Sequence, residues 1–336
     1  MIEIETINIA RFFMQASGGV MGATSLWGLV FWMKSRNESG DRSESFITLS
    51  RVTIVIFLAA ISIFLISWFY SFFAFSPGAE AHEGIVLKPQ NENLVRGFAL
   101  NLPLVSILTL VTLVGIFLWR KKELFKKYGG MIFLPQFLLV SLILVLGSTT
   151  QEFGRNQIFS WLHSWHSILT LGTVATVDAL YIITLRNDAL KRVLYPFFPV
   201  MSAAIWIGLG IDFASVFLIV KDALHVTAQF LFNQTVIGII VINGAFLSGK
   251  INDFLIDLIR PDRVESLSPK MNLFFGISGS LSIVSWTTIT LLDFIKPPFS
   301  YLQFLSIYVS FIALAFLSHL ALEGLISARK ITPPAV

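Results

Sequence analysis

The sequence predicts an all-α integral membrane protein, a bundle of nine membrane-spanning helices with the amino end outside and the carboxyl end in the cytoplasm. Three observations carry this. Hydrophobic residues make up 55% of the chain and charged residues 13%, with a mean hydropathy of +0.78. Soluble domains carry about a quarter charged residues. Apolar runs of about 20 residues recur along the whole length, each long enough to cross a hydrocarbon core roughly 30 Å thick. Finally, 18 of the 24 Lys and Arg fall in the connections after the odd-numbered runs or beyond the ninth. By the positive-inside rule those connections face the cytoplasm.

The nine spans are expected at Ile9–Met33, Val52–Phe75, Gly97–Trp119, Gly130–Ser148, Ser160–Leu185, Val193–Val220, Asp222–Ser248, Met271–Phe294 and Ser300–Ile326. The whole chain reads as one transmembrane domain, four helices over 9–148 and five over 160–326. No basic n-region or A-x-A-type site surrounds the first run, so it is expected as a retained helix and not a cleaved signal. Its Gln15, Ser17, Gly18, Gly19, Gly22 and Gly28 suit close helix packing, because small residues let backbones approach in lipid. Pro103 and Pro135 predict kinks in the third and fourth helices. Pro196 and Pro199 fall in the first turns of the sixth, where a missing N–H costs least. The stretch Ile251 to Arg260 alternates apolar residues with Asp253 and Asp257, the pattern of a short helix lying in the membrane interface.

Composition also limits the function. With no cysteine in the chain, disulfides, thiolate-held clusters and cysteine nucleophiles are excluded. The formal charge of +4 resides in short loops with no basic stripe, so nucleic acid is not an expected partner. Lipid is. The run Arg120 to Lys127, with Lys121, Lys122 and Lys126, is expected to face anionic head groups. The predicted location is a bacterial-type inner membrane, with a second copy or another membrane subunit left open as partner.

Polar groups inside the spans carry any chemistry, since a buried polar group needs a partner or a role. Counting 1.5 Å per residue from the span ends places them in two layers. His163 and His166, three residues apart on the fifth span, lie roughly 5 and 9 Å below the outer surface, with Asp212, His225 and Gln229 at similar depth. His82 sits in the outer loop between Ser76 and Arg96. Asp178, Asn243 and His319 fall roughly 8–11 Å above the cytoplasmic surface, with Gln136 close to that depth. Between the layers stand only Thr173, Thr176, Asn233 and Gln234.

Three readings follow. In the first, His166 and His225, with His163 or Asp212, bind haem b or a copper or zinc ion in a redox or cofactor-handling role, since imidazole suits these metals. In the second, Asp178, Asp212, His319 and Asn243 mark a path for protons or a small solute. In the third, the same groups are interfacial or packing residues of an assembly subunit with no site of its own. Whether the protein is an enzyme stays open.

From Trp165 to Lys250 the runs WHSILTLGTVATVDALYI, AAIWIGLGIDFAS and TVIGIIVINGAFLSG resemble a family of uncharacterised bacterial polytopic membrane proteins. The matching positions are His166, Asp178, Trp206, Gly208, Leu209, Asn243 and Gly244, and Ser282 to Trp286 (SIVSW) fits the same pattern. More remotely, a membrane-embedded His followed by four-helix units is similar to the copper-resistance D and membrane protoporphyrinogen-oxidase-like groups. That similarity implies haem or copper. The chain differs from those groups in having Asn233 where they place a His–Lys arrangement.

Overall fold

The computed structural model describes residues 2–74, 89–149, 162, 165–184, 187–220, 227–259, 269–292, 295 and 297–331. Among these every regular element is helical. Glu80, His82, Glu83, His163 and His225 lie outside the described residues.

The backbone divides into two compact units, Met1–Ala223 and Leu224–Val336. In the first unit, α1 (Ile2–Asn37) and α2 (Gly40–Ala74) form a long hairpin. They are followed by α3 (Pro89–Arg120), the short α4 (Lys122–Tyr128) and α5 (Gly130–Thr149). Helix α6 (Trp165–Thr184) contains a π-helical turn at Ile168–Gly172. Then come α7 (Asp188–Leu194), a 3-10 turn at Tyr195–Phe197 and α8 (Phe198–Val220). The second unit holds α9 (Ala228–Ile259), α10 (Pro269–Leu292) and α11 (Tyr301–Ile331).

A helix therefore occupies each of the nine apolar runs. Six described helical stretches are long and apolar enough to cross a membrane: Gly40–Ser71, Asn101–Arg120, Trp165–Thr184, Ala189–Ile211, Ala228–Phe246 and Tyr301–Ala321. Helices α4 and α5, bent by 60° at Gly129, give a seventh if taken as one span. Helix α10 contributes a shorter apolar stretch, Gly276–Leu292. Helix α1 is not among the six, and its surroundings explain why. It is packed between α2, α5 and α6, so its small and hydroxylic residues meet protein: Ser17, Thr24 and Ser25 are all buried. A helix enclosed by other helices need not be as apolar as one that faces lipid.

Two cores hold α1, α2, α3 and α5 together. One gathers Met21, Phe57, Phe64, Trp68, Leu108, Val140 and Ile143, and the other Ile47, Ile54, Phe125, Ile132 and Phe133. Close backbone approach is the rule along α1. A Cβ on Gly18 would meet Leu144 of α5 at 2.6 Å, and one on Gly22 would meet Ile168 of α6 at 2.7 Å. Gly19 and Gly172 face each other so closely that a Cβ on Gly172 would overlap the Gly19 carbonyl. The glycine run of the first helix is thus a packing surface, as its spacing predicts.

The structure departs from expectation in two elements. The chain from Ile251 does not form a separate interfacial helix; α9 runs unbroken to Ile259. No proline interrupts Ser248 to Ile259, and the lone Gly249 is a weak helix breaker. The basic run after α3 is helical, not a loop, and forms α4. Pro103 and Pro135 both lie inside helices that continue through them.

Candidate functional site

Helix α6 carries the two polar residues around which the first unit's candidate site is built. Its buried face, through Thr170, Thr173, Thr176 and Thr184, is formed largely by hydroxyls. Each finds a backbone acceptor: Thr170 donates to the His166 carbonyl at 2.6 Å, Thr173 to Ile168 at 3.2 Å and Thr176 to Gly172 at 2.7 Å. The Thr173 backbone N–H also donates to the Ile168 carbonyl, five residues back, which is the signature of the π turn. Helix α1 adds two cross-links. Trp27 Nε1 donates to Thr173 Oγ1 at 3.3 Å, and Gln15 Nε2 to Ser167 Oγ at 3.1 Å. Thr173 and Thr176 are thereby committed to helix and packing roles.

His166 stands one residue before that turn's N-cap and is tied to α8. Its Nδ1 lies 3.1 Å from the Gly208 carbonyl. A carbonyl only accepts, so Nδ1 carries the hydrogen and any basic or ligating role falls to Nε2. Gly208 makes the approach possible: a Cβ there would come within 2.6 Å of Thr170 Cγ2 and 3.0 Å of Leu169 Cβ. The Trp-x-Gly-Leu motif (Trp206, Gly208, Leu209) thus has a local reason, a notch in α8 that admits α6. Asp212 follows Gly208 by one turn of α8, and its side chain lies outside the described residues.

Asp178 occupies the same span, six residues from Thr184, or about 9 Å from that end. It is half-buried and lies two positions from the buried Thr176, away from the face that meets α1. Among the described residues no hydrogen bond or ion pair to its carboxylate is formed.

In the second unit the polar groups meet on α10. Asn243 Nδ2 donates to the Ser278 carbonyl at 3.1 Å, and Ser278 Oγ donates back to Asn243 Oδ1 at 2.7 Å. Two residues away, Gly276 forms a notch filled by the His319 imidazole; a Cβ there would lie 2.8 Å from His319 Nε2. Gly276 and Ser278 are two positions apart on α10, so His319 of α11 and Asn243 of α9 meet that helix on different sides. Further along α10, Ser285 and Tyr308 share a hydrogen bond of 2.6 Å, and Gln229 Nε2 donates to the Leu292 carbonyl at 2.8 Å. Thr235 and Tyr301 are 3.1 Å apart. The hydroxyls of Tyr301 and Tyr308, which no pattern in the sequence singles out, complete two of these pairs. An aromatic group of Phe232, Phe304 and Tyr308, with Phe232 stacked on Phe304 at 5.1 Å, closes the space around them.

Gln136 sits in the first unit's core at 1% exposure, and neither amide atom has a partner among the described residues. A Cβ built on Gly115 of α3 would lie 3.9 Å from Gln136 Nε2.

A metal or haem needs several convergent ligands. Among the described residues no three His, Asp or Glu side chains are grouped to hold a metal ion. Of the proposed ligands His166, His163, His225 and Asp212, only His166 has a described side chain. The chain matches no protein-family model, no curated protein and no solved structure.

Proposed function

We propose that this is a nine-span membrane protein, amino end outside and carboxyl end in the cytoplasm of a bacterial-type inner membrane, that moves protons or a proton-coupled solute. Asp178 is the group that takes up and releases the proton. The observation behind this reading is a carboxylate held within a span, half-buried and without a bonding partner among the described residues. An ionisable residue in that position is costly to retain unless it works. In this reading Asn243 of α9 and His319 of α11, each packed on α10, mark further polar positions, and Asp212 an outer one.

The test is proton flux into pyranine-loaded vesicles containing the purified protein, driven by a potassium diffusion potential. Flux above protein-free vesicles, abolished in Asp178→Asn but kept in Asp178→Glu, is the expected result. An Asp178→Asn variant with unchanged flux, or wild-type vesicles no leakier than empty ones, refutes it and leaves the assembly reading. Accessibility labelling of single cysteines placed at both ends tests the topology independently.

One observation favours a second reading, cofactor binding: the imidazole of His166 is oriented by a backbone carbonyl, as metal-bound histidines usually are. Its check is the visible spectrum and metal content of the protein purified from haem- and copper-supplemented cells. A Soret band or bound metal that vanishes in His166→Ala supports it; a colourless, metal-free protein eliminates it.

A further inference from the structure

The short helix α4 offers a surface whose chemistry is not explained by packing alone. It is anchored through one side. Phe125 is fully buried and meets Phe133 edge-on at 6.0 Å. Trp32 Nε1 donates to the carbonyls of both Phe125 and Lys126, at 3.2 and 3.1 Å. Gly129 and Gly130 lie flat against the same indole. These contacts fix the roll of the helix, and the 60° bend at Gly129 turns its axis away from that of α5. If α5 stands upright in the bilayer, α4 lies nearer the membrane plane than its normal.

The fixed roll sorts the cations into two groups. Lys122 and Lys126 both reach Glu44 of α2, Lys122 in close contact and Lys126 with its Nζ at 3.9 Å. Arg120, Lys121 and Lys127 are exposed, as Lys122 is, but pair with no acid among the described residues. Exposed with them are Leu124 (39%), Tyr128 (36%) and Met131 (72%), and one acid, Glu123. Cations and large apolar groups side by side on one exposed face are what a helix at the head-group level presents. The surface carries three positive charges against one negative.

We propose that this face of α4 binds the head groups of anionic phospholipids. Arg120, Lys121 and Lys127 take the phosphates, Leu124, Tyr128 and Met131 enter the acyl boundary, and Glu44 withholds Lys122 and Lys126 from the lipid. Cations near an anionic surface each strengthen binding roughly fivefold. Removing three is therefore expected to cost on the order of a hundredfold in preference at low salt.

The experiment uses the full-length protein in vesicles of equal parts phosphatidylcholine and phosphatidylglycerol, with retained lipid read by native mass spectrometry. The wild type should hold phosphatidylglycerol in excess. The triple variant Arg120→Gln, Lys121→Gln, Lys127→Gln should lose most of that excess at an unchanged melting temperature in neutral detergent. Lys122→Gln with Lys126→Gln should keep it, and Glu44→Gln should increase it by releasing two cations. A triple variant as enriched as the wild type overturns the proposal. So does a loss in the Lys122, Lys126 variant equal to that of the triple. Displacement of the lipid by millimolar inorganic phosphate would mark a free-anion site and refute the lipid assignment.

Discussion

Replacing Gly172 by alanine probes the tightest approach at any described glycine. The added methyl would land on the Gly19 carbonyl and carbon, and 3.0 Å from the Ala23 Cβ. Two of those three obstacles are backbone, which cannot rotate aside, so α1 and α6 must separate. Overpacking of this kind costs about 1–3 kcal/mol. Separation also stretches the bonds from Trp27 to Thr173 and from Gln15 to Ser167, each worth about 1 kcal/mol. With both bonds lost the total is about 3–5 kcal/mol, and the roughly 0.5–1 kcal/mol that alanine gains over glycine in a helix brings it to about 2–4 kcal/mol. Gly210 supplies the control: nothing lies within 4 Å of its Cβ position, so Gly210→Ala should be neutral or stabilising by up to about 1 kcal/mol. Reversible unfolding in mixed micelles, followed by tryptophan fluorescence, measures both. If the two variants unfold at the same denaturant concentration, the contact between Gly19 and Gly172 is not as tight as described.

Three further outcomes are expected. Gln136→Leu should leave the protein as stable or more stable by about 1–2 kcal/mol, because it removes a buried amide without partners among the described residues; a drop in melting temperature would show that the amide is engaged. A double-mutant cycle of Asn243→Ala and Ser278→Ala should return a coupling of about 0.6–1.7 kcal/mol, typical of hydrogen bonds between helices in membranes; zero coupling would remove the pair. Glu44→Gln should lower stability by less than about 1 kcal/mol, since its lysine partners are exposed; high salt should erase the difference.

Much of the helical framework could be read from the chain, for a plain reason. Apolar runs of bilayer length can satisfy their backbone only as helices. The role of Gly18, Gly19 and Gly22 was also legible, because small residues at helical spacing have few other uses in lipid. Other features leave no local trace. Helix α9 runs past Ser248 because nothing stops it, whereas the alternation of Ile251 to Arg260 had pointed to a separate element. The notch at Gly276 acquires meaning only through His319, 43 positions later. The hydroxyls of Tyr301 and Tyr308 look like ordinary belt residues until α11 packs on α9 and α10. For the candidate site, His166 was chosen as a ligand, but its clearest contact is with a carbonyl supplied by a glycine in another helix. Asp178 was legible as an intramembrane acid; that it faces away from the hydroxyl-lined side of α6 was not.

The π turn at Ile168–Gly172 lies between His166 and Asp178, but before Thr173, Thr176 and Thr184. A turn with one surplus residue rotates everything after it by roughly a quarter of the circumference relative to a plain helix. A helical wheel drawn over Trp165–Thr184 thus puts the histidine and the aspartate at a false relative bearing. The bearing of Asp178 relative to His166 is thus set by a winding defect several residues upstream, whereas its bearing relative to Thr173 and Thr176 follows ordinary α-helical spacing.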